Sequence, residues 1–543
     1  MTLRSTSIAK IRGGSFDALV IGGGINGAVS AAVLAGRGAE VALVDRGDFG
    51  GFTSQASSNL VWGGIKYLEG FEFVLVRKLC RSRNRLVQAY PDNVKPISFL
   101  ATLDDTSPYR PWLAALGSVA YWVIGGFKTH RPRLLSPNKI EEMEPVVNTA
   151  RARGGVEYYD AYLSDNDSRF VFSFVRSALD AGARAANYVD VVDASYQSGR
   201  WLVTLRDTES EGDPFTCSCR VLVNATGPFV SDLNAQLEVR TDHRVVYSKG
   251  AHLIVPQITS SDRVLAFYDD TERLFYVIPM GARSAIGTTD TRVDSPFTEV
   301  TDEDRDFLLD QINRRLDLSS PLTPSDVIAD RSGVRPLVVR SDSPVSKDVD
   351  WTKLSRKHEV ETDAKRSVIT IFGGKLTDCL NVGEEVADAV EALGVPLEPD
   401  TQNWYGEPAS HTREEFFRQA RLMHLDDLRS TEDLEALSER LWRRYGRRLF
   451  GMLDEIRKDP SMGEDIIESA DYVRVELHLA ADTEMVTKLE DFLRRRSKIA
   501  QVIPDSDVIG SPGLEEAVRI LFGDRADEKL AEYLREREIP MVT

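Results

Sequence analysis

Apolar and polar positions fall into two regimes along this chain. Up to about residue 400, short apolar runs ended by glycines alternate with longer helix-favouring stretches. Beyond that point charged, helix-favouring sequence takes over and no further glycine-rich strand turn occurs, which predicts a mostly α-helical segment over 401–543. The first apolar run, residues 18–21, lacks polar alternation, as expected of a parallel strand buried on both faces. Small residues over 28–35 predict a helix, and "EVALVD" predicts a second strand that ends in Asp45. A later strand over 221–223 runs into "NATG", Asn224 to Gly227. "KGAHLIVP" alternates as a strand and carries His252, and "LTDCLNVGEEVADAVEAL" after Lys375 reads as a helix. The uncharged run 111–127 has 17 residues and three glycines, short of the roughly 20 that span a bilayer. It is expected to be a buried or partly buried helix, the alternative being a segment that dips into a membrane face. "RLWRRYGRRLFGML", 440–453, mixes five arginines with aromatic and aliphatic residues. Such a helix lies either on an anionic membrane surface or with its arginines solvated and paired to nearby acids.

Length and charge narrow the classes. The 543 residues allow about three domains. A net charge of −18 argues against nucleic acid as the main partner. Four cysteines, none in a CxxC pair, fit a reducing compartment without a disulfide framework. With seven scattered His, no structural metal is expected. The first residues carry no secretory apolar segment, so a cytoplasmic location is expected.

The strand over 18–21 is followed by Gly22, Gly24 and Gly27 in G-x-G-x-x-G spacing, and Asp45 lies 23 residues after Gly22. The first glycine permits a tight turn, the second lets a pyrophosphate approach the backbone, and the third lets helix and strand pack. Unpaired N–H groups at the helix start suit phosphate, and Asp45 suits a ribose. This is a dinucleotide fingerprint, and alone it does not separate NAD from FAD. "NATG" at the far end of a long insertion favours FAD. Most unexpected is "SSNLVWGGIKYLEGFEF", 57–73, where Gly63 and Gly64 follow Trp62 and precede Lys66 and Tyr67. Each glycine costs about 1 kcal/mol in a helix, so a close approach to the backbone is expected there.

These stretches resemble the FAD-dependent glycerol-3-phosphate dehydrogenase family, within the D-amino-acid-oxidase-like flavoproteins. The matching motifs are "VIGGGINGA" (20–28), "TSQASSNLVWGGIKYLEGFEFVLVRK" (53–78), "NATGPFV" (224–230), "SKGAHLIVP" (248–256), "FYVIPMGARSAIGTTDT" (275–291), "DRSGVRPLV" (330–338) and "FGGKLTD" (372–378). They cover about 16–395 in family order, and 472–498 resembles the family's helical C-terminal domain. The resemblance implies an α/β two-dinucleotide-fold flavoprotein: an oxidoreductase unit over 16–400 and a helical domain over 401–543. Its FAD-binding segments would be about 16–80, 200–247 and 346–395, with substrate segments over 81–199 and 248–345. FAD would be held by Gly22, Gly24, Asn26, Gly27, Asp45, Arg46, Thr53, Ser54, Ser58, Trp62, Gly63, Gly64, Thr226, Gly227, Gly374, Lys375, Leu376 and Thr377. Gly63 and Gly64 would lie where the main chain meets the isoalloxazine. His252 would be the base, with Arg335 and Lys375 as the cations on phosphate and hydroxyl oxygens. Lys66, Tyr67 and Thr289 would line the substrate cavity.

The implied reaction is oxidation of sn-glycerol 3-phosphate to dihydroxyacetone phosphate, with hydride passing to flavin N5. Electrons would go on to a quinone, or to oxygen in the oxidases, with peripheral membrane contact on the cytoplasmic face. A homodimer is compatible with the sequence. Three positions depart from the family pattern: Asn59 for Lys, Trp62 for His and Lys66 for Arg. Lysine lacks the bidentate fork that suits phosphate. Two other readings therefore stand: an oxidase or dehydrogenase of another small hydroxy or amino acid, and a flavin-binding, membrane-associated protein without turnover.

Overall fold

The computed structural model describes residues 2–210, 212–342, 357–428, 435–467 and 470–537; residues 346–356 of the last expected FAD segment lie outside them. Two sheets organise the chain up to Ala392. The first has eight strands, in the order Glu359–Asp363, Val368–Phe372, Phe215–Asn224, Ser15–Ile21, Val41–Val44, Arg184–Ala186. Ser15–Ile21 pairs parallel with Phe215–Asn224 on one side and Val41–Val44 on the other. Arg200–Asp207 runs antiparallel to Phe215–Asn224, and Val189–Gln197 continues from it. Residues 184–197 were expected in a substrate segment; they belong to this nucleotide-side sheet because Arg184–Ala186 extends its parallel register beside Val41–Val44.

Helices Ile25–Gly36, Asp167–Asp180 and Cys379–Ala392 cover one face of this sheet in a shared apolar core. Burial on both sides explains why Val41–Val44 and the run 18–21 are uniformly apolar. The second sheet has ten strands. Its longest strand, His243–Pro256, lies next to one edge, between Arg283–Gly287 and Ala329–Arg340. Beyond Ser410 the described residues are mostly helical and form two apolar clusters of their own.

One expectation holds and one changes. Pro111–Ile124 is a partly buried helix, with Ser118 and Tyr121 its buried residues. Trp112, Leu113, Leu116, Val119 and Val123 are exposed, because among the described residues no neighbouring element covers that face. In the basic stretch 440–453 the arginines pair with acids as expected, but among them only Arg447 is exposed and the first turn is buried rather than solvated. Arg440, Arg443 and Arg444 are buried together with Trp442 and Tyr445. Arg443 Nη1 and Arg444 Nε donate to Asp165 Oδ2 at 2.6 and 2.9 Å, and Arg444 Nη1 to Glu476 Oε1 at 2.8 Å. Asp165 lies nearly 280 residues upstream, so this partner is invisible in the local sequence.

Candidate active site

The carboxyl ends of Ser15–Ile21, Val41–Val44 and Phe215–Asn224 open into a crevice at the point where strand order reverses, the usual ligand position in open parallel sheets. Gly22, Gly24, Asn26, Asp45, Arg46, Thr53, Ser54, Thr226, Gly227 and Gly374 all line it. The glycines are required by the backbone's close approach. A Cβ on Gly22 (φ +100°) would lie 2.6 Å from Ala225 O, and one on Gly27 would lie 1.8 Å from Gly22 O. Gly27 thus packs helix on strand, off the crevice wall, as its place in the fingerprint requires. Ser54 Oγ accepts from Ile25 N at 3.1 Å, at the start of helix Ile25–Gly36. Asn26 Nδ2 donates to Gly373 O at 2.9 Å, tying the first glycine turn to the last.

Asp45 is buried; its Oδ2 accepts from Gly23 N at 2.5 Å and its Oδ1 from Gly47 N at 2.8 Å. Burial lifts its pKa to about 6, against the pull of those two N–H groups. Arg46 lies on the Phe229 ring, 3.6 Å from its centroid. Residues 189–191, Asp232 and Gln236 complete the wall beside it. Sequence reasoning missed these; the signal was the alternating "YVDVV" that follows the helix Asp167–Asp180.

At the other end stands the stretch that begins at Ser57. Ser58 is half-buried. Trp62 and Tyr67 face one another with ring centroids 6.2 Å apart. Lys375 Nζ lies 4.2 Å from the Tyr67 ring centroid and 5.2 Å from that of Trp62, which brings three of the expected residues together. Lys66 sits in the turn Ile65–Leu68 and acts electrostatically on Glu69. Leu376 packs on the nucleotide-side core and Thr377 is buried, so both position the turn beneath Lys375.

The double glycine has close protein neighbours of its own. A Cβ on Gly63 would lie 2.2 Å from Tyr121 Oη and 2.9 Å from Cys80 Sγ, and Gly64 has φ +83°. Gly63 N donates to Asp160 Oδ1 at 3.1 Å, and that buried carboxylate also receives Arg83 Nη1 at 2.9 Å and Tyr121 Oη at 2.7 Å. Tyr121 and Cys80 leave no room for a side chain at Gly63, and the left-handed step favours glycine at 64.

His252 is buried, and both its ring nitrogens lack a hydrogen-bond partner. Burial, aided by the charges of Arg331 and Arg335, holds its pKa well below the ordinary histidine value, so the imidazole is neutral. His252 opposes Gly287 on one neighbouring strand and Arg331 on the other. Arg335 lies across Gly250, where a Cβ would come within 2.2 Å of Nη2. It donates to Thr288 Oγ1 at 2.8 Å and Thr289 O at 3.3 Å, and pairs with Asp290 at 3.6 Å. Thr289 Oγ1 accepts from Ala251 N at 3.0 Å, leaving its hydroxyl hydrogen to donate. Arg331, which sequence reasoning passed over, is buried and donates to Asn59 Oδ1 at 3.2 Å, with Nε and Nη2 unpartnered.

Unpartnered buried atoms on Asn26, Trp62, His252 and Arg331 extend from the glycine-rich crevice to the second sheet. Buried polar atoms ordinarily have partners. An elongated ligand with polar atoms along its length, such as FAD, fits these residues.

Comparison with known proteins agrees. A model described as FAD-dependent oxidoreductase matches residues 17–388, and one described as the C-terminal domain of alpha-glycerophosphate oxidase matches 429–508. A glycerol-3-phosphate dehydrogenase of Synechocystis sp. is 29% identical over 98% of each chain. Glycerol-3-phosphate dehydrogenase 2 of Mycobacterium tuberculosis is 31% identical over 97% of this chain and 89% of its own. Among solved structures, glycerol-3-phosphate dehydrogenase from Bacillus halodurans complexed with FAD superposes with a TM-score of 0.75, covering 99% of this chain and 97% of that one at 24% identity. The FAD-bound L-alpha-glycerophosphate oxidase of Mycoplasma pneumoniae gives 0.56, over 73% of this chain and 99% of its own at 16% identity. The chain therefore belongs to the glycerol-3-phosphate dehydrogenase family of FAD-dependent oxidoreductases.

Proposed function

We propose that this enzyme oxidises sn-glycerol 3-phosphate to dihydroxyacetone phosphate. The observation that carries the reading is His252: buried, neutral and without a partner on either ring nitrogen, beside two arginines. A neutral imidazole accepts the hydroxyl proton of a secondary alcohol, and fixed cations favour the oxygen's developing charge. Arg335, already bent across Gly250, and Lys375, resting on two rings, are the cations that hold the substrate's phosphate and hydroxyl oxygens. Thr289 offers a hydroxyl donor, and Lys66 and Tyr67 close the cavity from the opposite side. FAD, when bound, supplies the hydride acceptor at N5. The names of the relatives support the phosphate ester as substrate.

Among the described residues no helix is long and apolar enough to cross a membrane. The exposed apolar helix Pro111–Ile124 supports peripheral contact, and with it a membrane quinone as electron acceptor. Anaerobic mixing of the holoprotein with sn-glycerol 3-phosphate should bleach the oxidised flavin absorbance. His252→Ala should keep the oxidised spectrum and bleach at least about 10²-fold more slowly. Bleaching by a small hydroxy or amino acid but not by glycerol 3-phosphate would replace the substrate assigned here.

A further inference from the structure

Two arginines of the helical domain reach back across the molecule to the loop that borders the cofactor crevice. They lie in a π-helical turn, Asp491–Arg496, a form often found at functional positions. Arg496 Nη1 and Nη2 donate to Asp48 Oδ2 and Oδ1 at 2.9 and 2.8 Å, and Arg495 Nε donates to Asp48 Oδ2 at 2.7 Å. Asp48 is buried and lies three residues after Asp45. The next residue, Phe49, presses on the glycine turn: a Cβ on Gly23 would sit 2.3 Å from its ring. Gly50 N donates to Gly23 O at 3.0 Å.

The far end of the loop is held by the same turn. Arg495 Nη1 donates to Gln55 Oε1 at 3.2 Å, and Gln55 Nε2 donates to Gly51 O at 2.6 Å. Residues 51–54, between these anchors, form crevice wall. The opposite wall is tied in as well: Tyr188, next to the lining residues 189–191, donates its hydroxyl to Asp491 Oδ1 at 2.7 Å, and Arg495 Nη2 donates to that oxygen at 2.6 Å. One turn of the helical domain thus braces both walls of the dinucleotide crevice. It also neutralises Asp48, a negative charge beside Asp45.

We propose that Arg495 and Arg496 are positioning residues for FAD: through Asp48 and Gln55 they hold residues 48–55 in the FAD-binding shape and so couple docking of the helical domain to cofactor affinity. The inference rests on the flavin reading above. Coupling of this kind is reciprocal, so FAD must tighten the turn as the turn tightens FAD.

The test uses the full chain, stripped of FAD and reloaded. Arg495→Gln leaves Asp48 paired with Arg496, and Gln55→Ala removes only the far anchor. FAD dissociation constants are expected to rise at least about 10-fold for the first and about 3-fold for the second. The gap between the unfolding temperatures of FAD-loaded and FAD-free protein should shrink in both. A brace that is only structural would lower both temperatures equally and leave the dissociation constant unchanged, which overturns the proposal. In the wild-type chain, adding FAD should slow amide hydrogen exchange over 491–497; unchanged exchange there also overturns it. Failure of the wild-type chain to take up FAD would instead sink the cofactor reading itself.

Discussion

Asp45 shows how one side chain links proton and cofactor. Burial lifts its carboxyl to about 6 from an ordinary 3.8. In the FAD-free fold it therefore binds a proton more tightly than in the unfolded chain. Its own contribution to stability then increases as pH falls from about 6 towards 3.8. Ribose hydroxyls donate to the ionised form, so FAD binding has the opposite sign and expels that proton. FAD affinity should be flat above about pH 6 and should fall by up to roughly tenfold per unit below it. Titration of FAD at pH 7, 6 and 5, beside Asp45→Asn, checks this: the substitution should flatten the profile, and a wild-type profile already flat would refute the linkage. Asp45 was legible because strand, glycine turn and acid lie within 30 residues, at distances the chain itself sets. His252 was legible only through its motif. Arg331 was not legible at all, since its importance lies in facing His252 on a strand some 80 residues away.

At the scale of elements, the stretch 57–73 was read as a place where something approaches the backbone, and its protein neighbours were not legible. Its neighbours are Tyr121 and Cys80, brought in by the helices Pro111–Ile124 and Phe73–Ala89. A pattern of residues shows that a Cβ is forbidden but not which distant atom forbids it. Gly63→Ala should push Tyr121 away, break its bond to Asp160 and destabilise the fold by about 1–3 kcal/mol, in the range of core overpacking. Adding Tyr121→Phe removes the oxygen nearest the new methyl group, so the double variant should be more stable than the sum of the single effects. Denaturant unfolding of the four proteins measures this. Strict additivity, with FAD lost from Gly63→Ala alone, would restore the flavin as the cause. The same limit applied to the surroundings of two further stretches. Hydrophobic periodicity gave the helix Pro111–Ile124 but not whether a neighbour covers it, and the arginines over 440–453 found their acids in a different part of the chain.

The whole molecule carries a net charge of −18, yet many of its exposed large apolar residues fall in the segments 71–74 and 112–127. Trp112 and Leu116 are each 60% exposed, Phe127 58%, and on the adjoining turn Phe71 and Val74 are 77% and 85% exposed. Exposed Arg77, Arg81, Arg110, Lys128 and Arg131 are close by in the chain, so local charge opposes the global repulsion from anionic lipid. Scattered surface apolar residues need no explanation, but a clustered set rimmed by cations marks a membrane or protein contact. Fully burying a large apolar side chain is worth about 1.5–3 kcal/mol. Replacing Trp112 and Leu116 by Glu removes two such terms and adds two repelled charges, so affinity for vesicles should fall at least about 10²-fold. The holoprotein should co-sediment with phosphatidylglycerol-containing vesicles, and the double variant should stay in the supernatant. Its flavin spectrum and its reduction by substrate should be unaltered, because neither residue lines the crevice. Equal sedimentation of both proteins would remove this surface as the membrane contact, and with it the structural support for an acceptor dissolved in the bilayer.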